Sequence, residues 1–205
     1  MRISGGYYKN YRLSVPKNRT RPTSGRLRQT VFNLCRDQIR GVLFLDVFAG
    51  SGAMGIEALS WGAKHATFID KNKGAVHTIK DNLDRLNLKS QATLFPIDAL
   101  KALKLLEKKG QIFELIYIDP PYGHTFNGGA TTYLDAALSL IDQTCLLAEA
   151  GTLFCETTTF PVITSLRTLC LKDERKVGAS RLLQFKATGV SVQSQSSRSQ
   201  AHSPA

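Results

Sequence analysis

The sequence predicts an α/β fold in which a mostly parallel, doubly wound sheet is covered by helices on both faces. Two observations lead to this fold class. Short apolar segments alternate with amphipathic segments from residue 42 to residue 156, which is typical of strand–helix–strand units. A glycine-rich segment directly follows the first apolar segment, at the position where such sheets bind their ligands.

The elements can be placed in order along the 205 residues. Strands are predicted over residues 42–46, 66–70, 92–97, 115–119 and 151–156, with a final pair near 166–171 and 182–185. Helices are predicted over residues 52–61, from the second strand to about 86, over 99–108 and over 133–147. This order of elements gives the sheet its parallel strands and its crossover helices.

The N-terminal segment differs from this body in charge. Residues 1–41 contain ten Lys and Arg but one acidic residue, whereas residues 42–187 contain sixteen basic and fifteen acidic residues. Residues 3–15 are predicted to form a short hairpin, and a helix capped by Thr23 or Ser24 is predicted to run to about Ile39. Most of the net charge of +11 therefore lies in a segment suited to an anionic partner such as RNA.

The predicted organisation has three parts. Residues 1–41 form a basic, RNA-binding hairpin and helix extension, and residues 42–187 form the domain with the parallel sheet. Residues 188–205 are rich in Ser and Gln, have no hydrophobic pattern, and are predicted to be a disordered tail.

Composition argues against several classes of protein. No apolar run approaches the roughly 20 residues of a membrane span, and no apolar stretch of a secretory signal precedes Val42. The four cysteines show no C-x-x-C spacing and the four histidines no ligand spacing, so we predict neither a disulfide nor a metal site. These features are typical of a protein of the reducing cytoplasm.

Aspartates lie at or near the ends of four successive predicted strands. They are Asp46, Asp70, Asp98 and Asp119. Because a doubly wound sheet binds ligands beyond the carboxyl ends of its strands, these side chains are expected to line one site. Asp is also a common helix N-cap, which accounts for one or two such positions more readily than for four around one loop.

The glycine-rich loop has the spacing G-x-G-x-x-G at Gly50, Gly52 and Gly55. Alone, this spacing also fits a dinucleotide-dependent dehydrogenase in which Asp70 binds a ribose. A pyrophosphate on the N-terminus of the next helix would be repelled by Asp46, however. S-adenosylmethionine carries no phosphate and has sulfonium and ammonium groups that an acidic site attracts, so it is the predicted cofactor.

The second motif follows the fourth strand directly and consists of the predicted catalytic residues Asp119, Pro120, Pro121 and Tyr122. An exocyclic amine on a base is a poor nucleophile, because its lone pair is delocalised into the ring. A carboxylate and a backbone carbonyl that each accept one N–H can hold this nitrogen, and consecutive prolines fix that carbonyl in place. Tyr122 offers a face on which a flipped base can stack.

Segments throughout the chain, residues 2–6, 21–23, 26–28, 32–33, 46–60, 119–122 and 177–180, resemble the RsmD-type bacterial methyltransferases in order and spacing. The resemblance covers roughly residues 1–187. It implies a seven-stranded, Rossmann-like class I methyltransferase sheet with S-adenosylmethionine as the methyl donor. We predict that the methyl group is transferred directly and in line, without a covalent enzyme intermediate. The resemblance also implies that the substrate is small-subunit (16S) ribosomal RNA, modified at N2 of a guanine, usually guanine 966.

The resemblance and the charge pattern together assign candidate residues. The cofactor-binding residues are Asp46, Phe48, Gly50, Ser51, Gly52, Asp70, Lys71, Asp98 and Ala99. The candidates for phosphate contacts with RNA are Arg21, Arg26 and Arg28. The family often has Glu where this chain has Asp70, and the tail beyond Lys186 has no counterpart in it.

Other functions stay open at this point. An amino-methyltransferase acting on adenine or cytosine of DNA or RNA also uses an Asp/Asn-Pro-Pro-Tyr/Phe motif, but this chain has no obvious second domain to read a DNA sequence. A non-catalytic RNA-binding assembly factor could keep the same fold, although both motifs are intact. The sequence alone does not show which base is chosen, or whether the RNA is naked or within a partly assembled 30S subunit.

Overall fold

The computed structural model describes residues 1–16, 25–121, 132–158 and 166–188. The strands among them are β1 Leu43–Val47, β2 His65–Ile69, β3 Ala92–Phe95, β4 Phe113–Ile118, β5 Leu147–Thr157, β6 Leu169–Val177 and β7 Ser180–Ala187. The helices are α1 Gly25–Leu34, α2 Ala53–Trp61, α3 Lys73–Arg85, α4 Ala99–Lys108 and α5 Tyr133–Asp142, with a 3-10 helix at Lys89–Gln91. No helix in this described part of the chain is long and apolar enough to cross a membrane.

The strands form one seven-stranded sheet in the order β3-β2-β1-β4-β5-β7-β6. Strands β1 to β5 run parallel, and β7 is antiparallel to both β5 and β6. The chain runs outward from β1 to β3 and then adds β4 on the other side of β1. The order therefore reverses between β1 and β4, and the predicted doubly wound fold is confirmed.

Helices cover both faces of this sheet and enclose two apolar cores. The first core contains buried side chains of α1, α2 and α3, among them Phe32 and Ile56, and the second contains those of α4 and α5, among them Leu103. Successive residues of β1 alternate between them, since Phe44 packs in the first core and Leu45 in the second. A strand that is buried on both faces has a continuous run of apolar residues, which is why β1 could be predicted from the sequence.

Two helices end earlier than predicted. Helix α1 stops at Leu34, because residues 35–38 turn the chain back toward β1. Helix α5 stops at Asp142, whose carboxylate accepts the backbone N–H groups of Arg167, Thr168 and Leu169 at 2.8–2.9 Å. Burial alone would raise the pKa of Asp142, but the three backbone donors outweigh this effect. The pKa therefore lies below its usual value, and the carboxylate stays ionised.

The segment before α1 folds back on itself and packs on the sheet domain. Its predicted hairpin is reduced to one isolated antiparallel bridge between Arg2 and Arg12. Ile3 and Leu13 are buried in the same core as α1, α2 and α3, so packing holds the segment in place. The domain limit at residue 41 stays a prediction, but the extension and the sheet domain share one apolar core.

An internal carboxylate, Glu57 in the buried helix α2, joins this segment to α1. Its Oε1 accepts the backbone N–H groups of Ser4 at 2.7 Å and Gly5 at 3.0 Å. Its Oε2 lies 3.5 Å from Nε of Arg28, which also donates to the carbonyl of Arg2 at 2.9 Å. The predicted contact of Arg28 with RNA phosphates is therefore corrected, because its buried guanidinium is engaged inside the protein.

Candidate active site

The glycine-rich loop between β1 and α2 turns sharply at the carboxyl edge of the sheet. Phe48, Gly50 and Gly52 all adopt left-handed backbone conformations, with φ of 65°, 61° and 74°. A Cβ on Gly52 would lie 3.1 Å from Cγ1 of Ile79, so a larger residue there meets both strain and crowding. The turn therefore depends on glycine, and Gly50 and Gly52 carry no side chain that would keep a ligand away from the backbone.

Asp46 holds the start of α2 against the end of β1. It is 2% exposed, and its Oδ2 accepts the backbone N–H of Gly55 at 2.9 Å. This bond satisfies one of the orphan N–H groups of the first helical turn. A buried carboxylate beneath the loop also disfavours a phosphate there and favours a cationic ligand, as the sequence predicted.

Asp70 connects the ends of β1 and β2. One oxygen accepts the backbone N–H of Gly50 and the other accepts that of Asn72, both at 2.8 Å. The side chain is thus fixed by the backbone, and its carboxylate lies beside the loop at the carboxyl ends of β1 and β2.

A residue that the sequence analysis missed, Asn82 of α3, ties the loop to the N-terminal segment. Its amide donates to the carbonyls of Ser14 and Ser51, both at 3.1 Å, and accepts the N–H of Ser14 at 2.9 Å. Asn82 is 1% exposed and lies on the buried face of its helix. The signal that could have identified it is a polar Asn among the apolar positions of the helix.

Replacement of Asn82 with Ala is expected to destabilise the protein and weaken donor binding together. It leaves the buried carbonyl of Ser51 without this donor and removes two part-buried bonds to the backbone of Ser14, which together cost about 2 kcal/mol of the free energy of unfolding. Urea unfolding and calorimetric titration with S-adenosylmethionine measure the two effects. Exposed Lys80 on the same helix is the control, since its replacement with Ala should change stability by about 0.5 kcal/mol or less. Unchanged donor affinity in a destabilised variant would contradict a role in holding the loop.

A polar and aromatic cluster borders the loop on the side of β2 and β3. Lys71 Nζ lies 3.3 Å from Asp98 Oδ2 and 3.3 Å from the hydroxyl of Tyr133, and the hydrogen bond to Tyr133 raises the pKa of Lys71. The ring of Phe48 packs edge-on against that of Tyr133, with centroids 5.9 Å apart. Asp98 also caps α4, whose first residue is the buried Ala99. No sequence pattern singled out Tyr133, which begins α5.

The second predicted motif begins one residue after β4, beside the loop. The backbone N–H of Asp119 donates to the carbonyl of Val47 at 3.3 Å, so the motif starts at the reversal between β1 and β4. Asp119 is partly exposed, Pro120 is buried and Pro121 is exposed. Tyr122 lies outside the described residues, so its predicted stacking role stays a prediction.

Behind Asp119, the sheet contains a buried hydrogen-bonded chain. The hydroxyl of Tyr117 donates to Glu156 Oε2 at 3.0 Å, and the hydroxyl of Ser180 donates to Glu156 Oε1 at 2.8 Å. Burial, together with the negative charges of Asp119 and Glu156, raises the pKa of Tyr117 well above its usual value. Tyr117 therefore stays a neutral donor and links β4, β5 and β7 beneath the site.

The arrangement suits a cationic ligand better than a covalent intermediate. Among the described residues, no group of three His, Cys, Asp or Glu could hold a metal ion. Burial raises the pKa of Cys35 to about 12 and that of Cys155 well above its usual value, so neither thiol is an effective nucleophile. The loop and its buried aspartates fit S-adenosylmethionine by charge and by close backbone approach.

The residues predicted to contact RNA differ in their exposure to solvent. Arg26 is exposed on the first turn of α1, whereas Arg28 is buried, as described above. Arg21 and the predicted tail after residue 188 lie outside the described residues.

Comparisons with known proteins agree with this geometry. The family model described as conserved hypothetical protein 95 matches residues 1–186. The ribosomal RNA small subunit methyltransferase D of Escherichia coli K12 is 31% identical over 157 residues, which are 76% of this chain and 74% of that protein. The protein of the same name from Haemophilus influenzae is 32% identical over 177 residues, 85% of this chain and 88% of that one.

One solved structure extends the likeness to a more distant enzyme. The 16S rRNA N2 G1207 methyltransferase of Thermus thermophilus, in complex with AdoMet and guanosine, matches with a TM-score of 0.64. The match covers 83% of this chain and 44% of that one, at 21% identity. At this identity the likeness shows a shared fold.

Proposed function

This chain belongs to the conserved hypothetical protein 95 family, which includes the RsmD-type ribosomal RNA methyltransferases, and we propose that it methylates N2 of a guanine in 16S rRNA. The coarser activity, transfer of a methyl group to ribosomal RNA from S-adenosylmethionine, follows from membership of this family. Guanine 966 is the proposed position, and the cytoplasm is the proposed compartment.

The observation that carries the proposal is the position of Asp119. It directly follows β4 and bonds through its N–H to the end of β1, where the glycine-rich loop begins. The loop proposed to hold the methyl donor and the carboxylate proposed to orient the acceptor thus follow two adjacent strands, β1 and β4. Reactions between two bound groups gain most of their rate from such proximity and alignment.

S-adenosylmethionine supplies a methyl group that is already activated on a sulfonium sulfur. The residues proposed to hold it are Asp46, Phe48, Gly50, Ser51, Gly52, Asp70, Lys71, Asp98 and Ala99. With S-adenosylmethionine bound, the backbone of the loop would lie against its methionine part, and Asp70 and Asp98 would offer carboxylate oxygens to the ribose and the adenine amine. Direct transfer needs no nucleophilic cysteine, which agrees with the raised pKa values of Cys35 and Cys155.

The chain's own contribution to the reaction is to hold the acceptor amine. Asp119 accepts one N–H of this amine and the carbonyl of Pro120 accepts the other, which favours a pyramidal nitrogen with an available lone pair. Asp119 can then take the proton that the nitrogen loses. Pro120 is buried and its ring fixes φ, so its carbonyl is held without a flexible hinge.

Mass spectrometry of nucleosides tests the proposal. The protein is incubated with S-adenosylmethionine and, separately, with unmodified 16S rRNA, assembled small subunits and DNA. N2-methylguanosine from RNA or from subunits is the expected product, and mapping of the modified fragment locates the position. Methylated adenine or cytosine, product from DNA alone, or no product with any substrate would contradict it.

A further inference from the structure

A cleft lies at the amino end of β1, whereas the candidate active site lies at the carboxyl ends of the strands. It has a volume of roughly 820 Å³ and is lined by Gly6, Tyr7, Arg36, Asp37, Arg40, Ser60, Trp61 and Gly62. Trp61 ends α2, and Gly62 accepts the backbone N–H of Gly41 shortly before β1 begins. The cleft is therefore at the amino end of β1, whereas the loop and Asp119 are at carboxyl ends, about 17 Å away along a five-residue strand.

Tyr7 is an aromatic ring held in solvent by a fixed backbone. Its side chain is 88% exposed, although its N–H donates to the carbonyl of Ser60 at 2.7 Å. The hydroxyl of Ser60 accepts the N–H of Tyr8 at 2.9 Å and donates to the carbonyl of Gly5 at 2.7 Å. The turn is thus anchored on α2 on both sides of Tyr7, and the exposure of the ring is not due to a loose segment.

Two glycines make this close contact with α2 feasible. A Cβ on Gly6, which has φ of 75°, would lie 1.9 Å from the carbonyl oxygen of Ser60, and a Cβ on Gly5 would lie 2.2 Å from the ring of Trp61. Trp61 is in turn stacked on Phe32, with ring centroids 6.2 Å apart and planes 10° apart. The wall of the cleft is therefore rigid, and one edge of Trp61 reaches it.

The lining of the cleft also contains two basic residues. Arg36 and Arg40 are exposed, and neither forms an ion pair with another residue of the described ranges. Asp37 also lines the cleft, so the net charge of the lining is +1. Arg40 crosses Gly62, since its Cγ is 3.4 Å from the position of a Cβ there. Two exposed arginines thus line the same cleft as the exposed ring of Tyr7.

We infer that this cleft binds a single-stranded RNA segment, with a base stacked on Tyr7 and the adjoining phosphates at Arg36 and Arg40. Stacking on an exposed ring is tolerant of sequence, and a basic wall follows the backbone, which is the combination that single-stranded nucleic acid requires. The inference rests on the proposed function for the choice of RNA as partner. In this arrangement the cleft binds a part of the RNA away from the methylated base. The enzyme would then contact its substrate at both the amino and the carboxyl ends of the strands.

The only tryptophan of the chain, Trp61, reports on this cleft. A short single-stranded oligouridylate is titrated into the full protein without methyl donor, and the emission of Trp61 is followed. Quenching that saturates is expected, and the anisotropy of an end-labelled oligouridylate gives the affinity independently. Absence of quenching while the labelled oligonucleotide binds would overturn the proposal, because binding would then be elsewhere.

Variants separate stacking from simple charge attraction. Tyr7→Ala should weaken the affinity about tenfold, since it removes one base–ring stack. Arg36→Gln with Arg40→Gln should weaken it and lower the slope of log affinity against log salt by roughly 1.4. The control Lys101→Gln with Lys104→Gln removes the same charge from exposed positions of α4 on the other face of the sheet and should leave the Trp61 response in place.

Three further results would overturn the inference. Equal affinity of the Tyr7→Ala and unchanged proteins would exclude stacking, and an equal loss in the control pair would show a general charge effect. Competition by inorganic polyphosphate as effective as that by oligouridylate would likewise show attraction without base contacts. All these measurements omit the methyl donor, so they are distinct from a failure to form N2-methylguanosine, which concerns the proposed function.

Discussion

Replacement of Asp119 with Ala is expected to abolish methyl transfer while donor binding persists. The substitution removes the carboxylate that accepts an N–H of the acceptor amine, and positioned acid–base groups contribute roughly a hundredfold or more to rate. Asp119 follows β4 and its N–H bond to Val47 involves the backbone alone, so the loop remains in place. Transfer of labelled methyl to RNA measures the first effect, and calorimetric titration with S-adenosylmethionine the second.

The control for this experiment removes a carboxylate from an exposed position near the start of β5. Glu149→Ala changes the net charge by the same amount as Asp119→Ala but is expected to keep full activity. Residual activity of the Asp119 variant within about tenfold of the unchanged protein would contradict the assigned role. Loss of donor binding in that variant would instead assign Asp119 to the donor site.

Replacement of Glu57 with Ala is expected to give the largest loss of stability, about 3–5 kcal/mol. It leaves the buried guanidinium of Arg28 without its carboxylate and removes the acceptor for the N–H groups of Ser4 and Gly5. Because those contacts hold the N-terminal segment, proteolysis of residues 1–16 should accelerate along with unfolding. Urea denaturation monitored by circular dichroism measures the free energy of unfolding.

A double variant distinguishes an unpaired charge from a lost contact. Arg28→Met combined with Glu57→Leu should be more stable than Glu57→Ala, since it removes both charges and keeps apolar volume. The exposed acid Glu107 on α4 provides the control, and its replacement with Ala should change stability by about 0.5 kcal/mol or less. A small effect of Glu57→Ala would mean that solvent reaches Arg28.

Local pattern was sufficient to predict the strands, the loop and the sheet edge at which the aspartates gather. The different exposure of Arg26 and Arg28 could also be predicted from the sequence. Val31 and Phe32, three and four residues after Arg28, are apolar and buried in α1, and helical periodicity places Arg28 on the same face as these two residues. The net charge of the segment does not distinguish an exposed arginine from a buried one.

Other features depend on partners that are distant in the chain. Helix α5 ends at Asp142 because the carboxylate is used by residues about 25 positions later, which no local pattern reports. The bond from Asn82 to Ser51 spans 31 positions, and the contact of Lys71 with Tyr133 spans 62. Such contacts exist only once the helices have packed on the sheet.

The shared core under residues 1–16 also constrains what protein engineering can do with this enzyme. Grafting the basic segment onto another methyltransferase would transfer its arginines but not the surface that shapes it. The recipient would need an acceptor equivalent to Glu57, a hydroxyl equivalent to Ser60 and an amide equivalent to Asn82, on helices that already pack correctly. Substrate specificity that resides in this segment is therefore inherited with the helices beneath it and cannot be exchanged as an independent module.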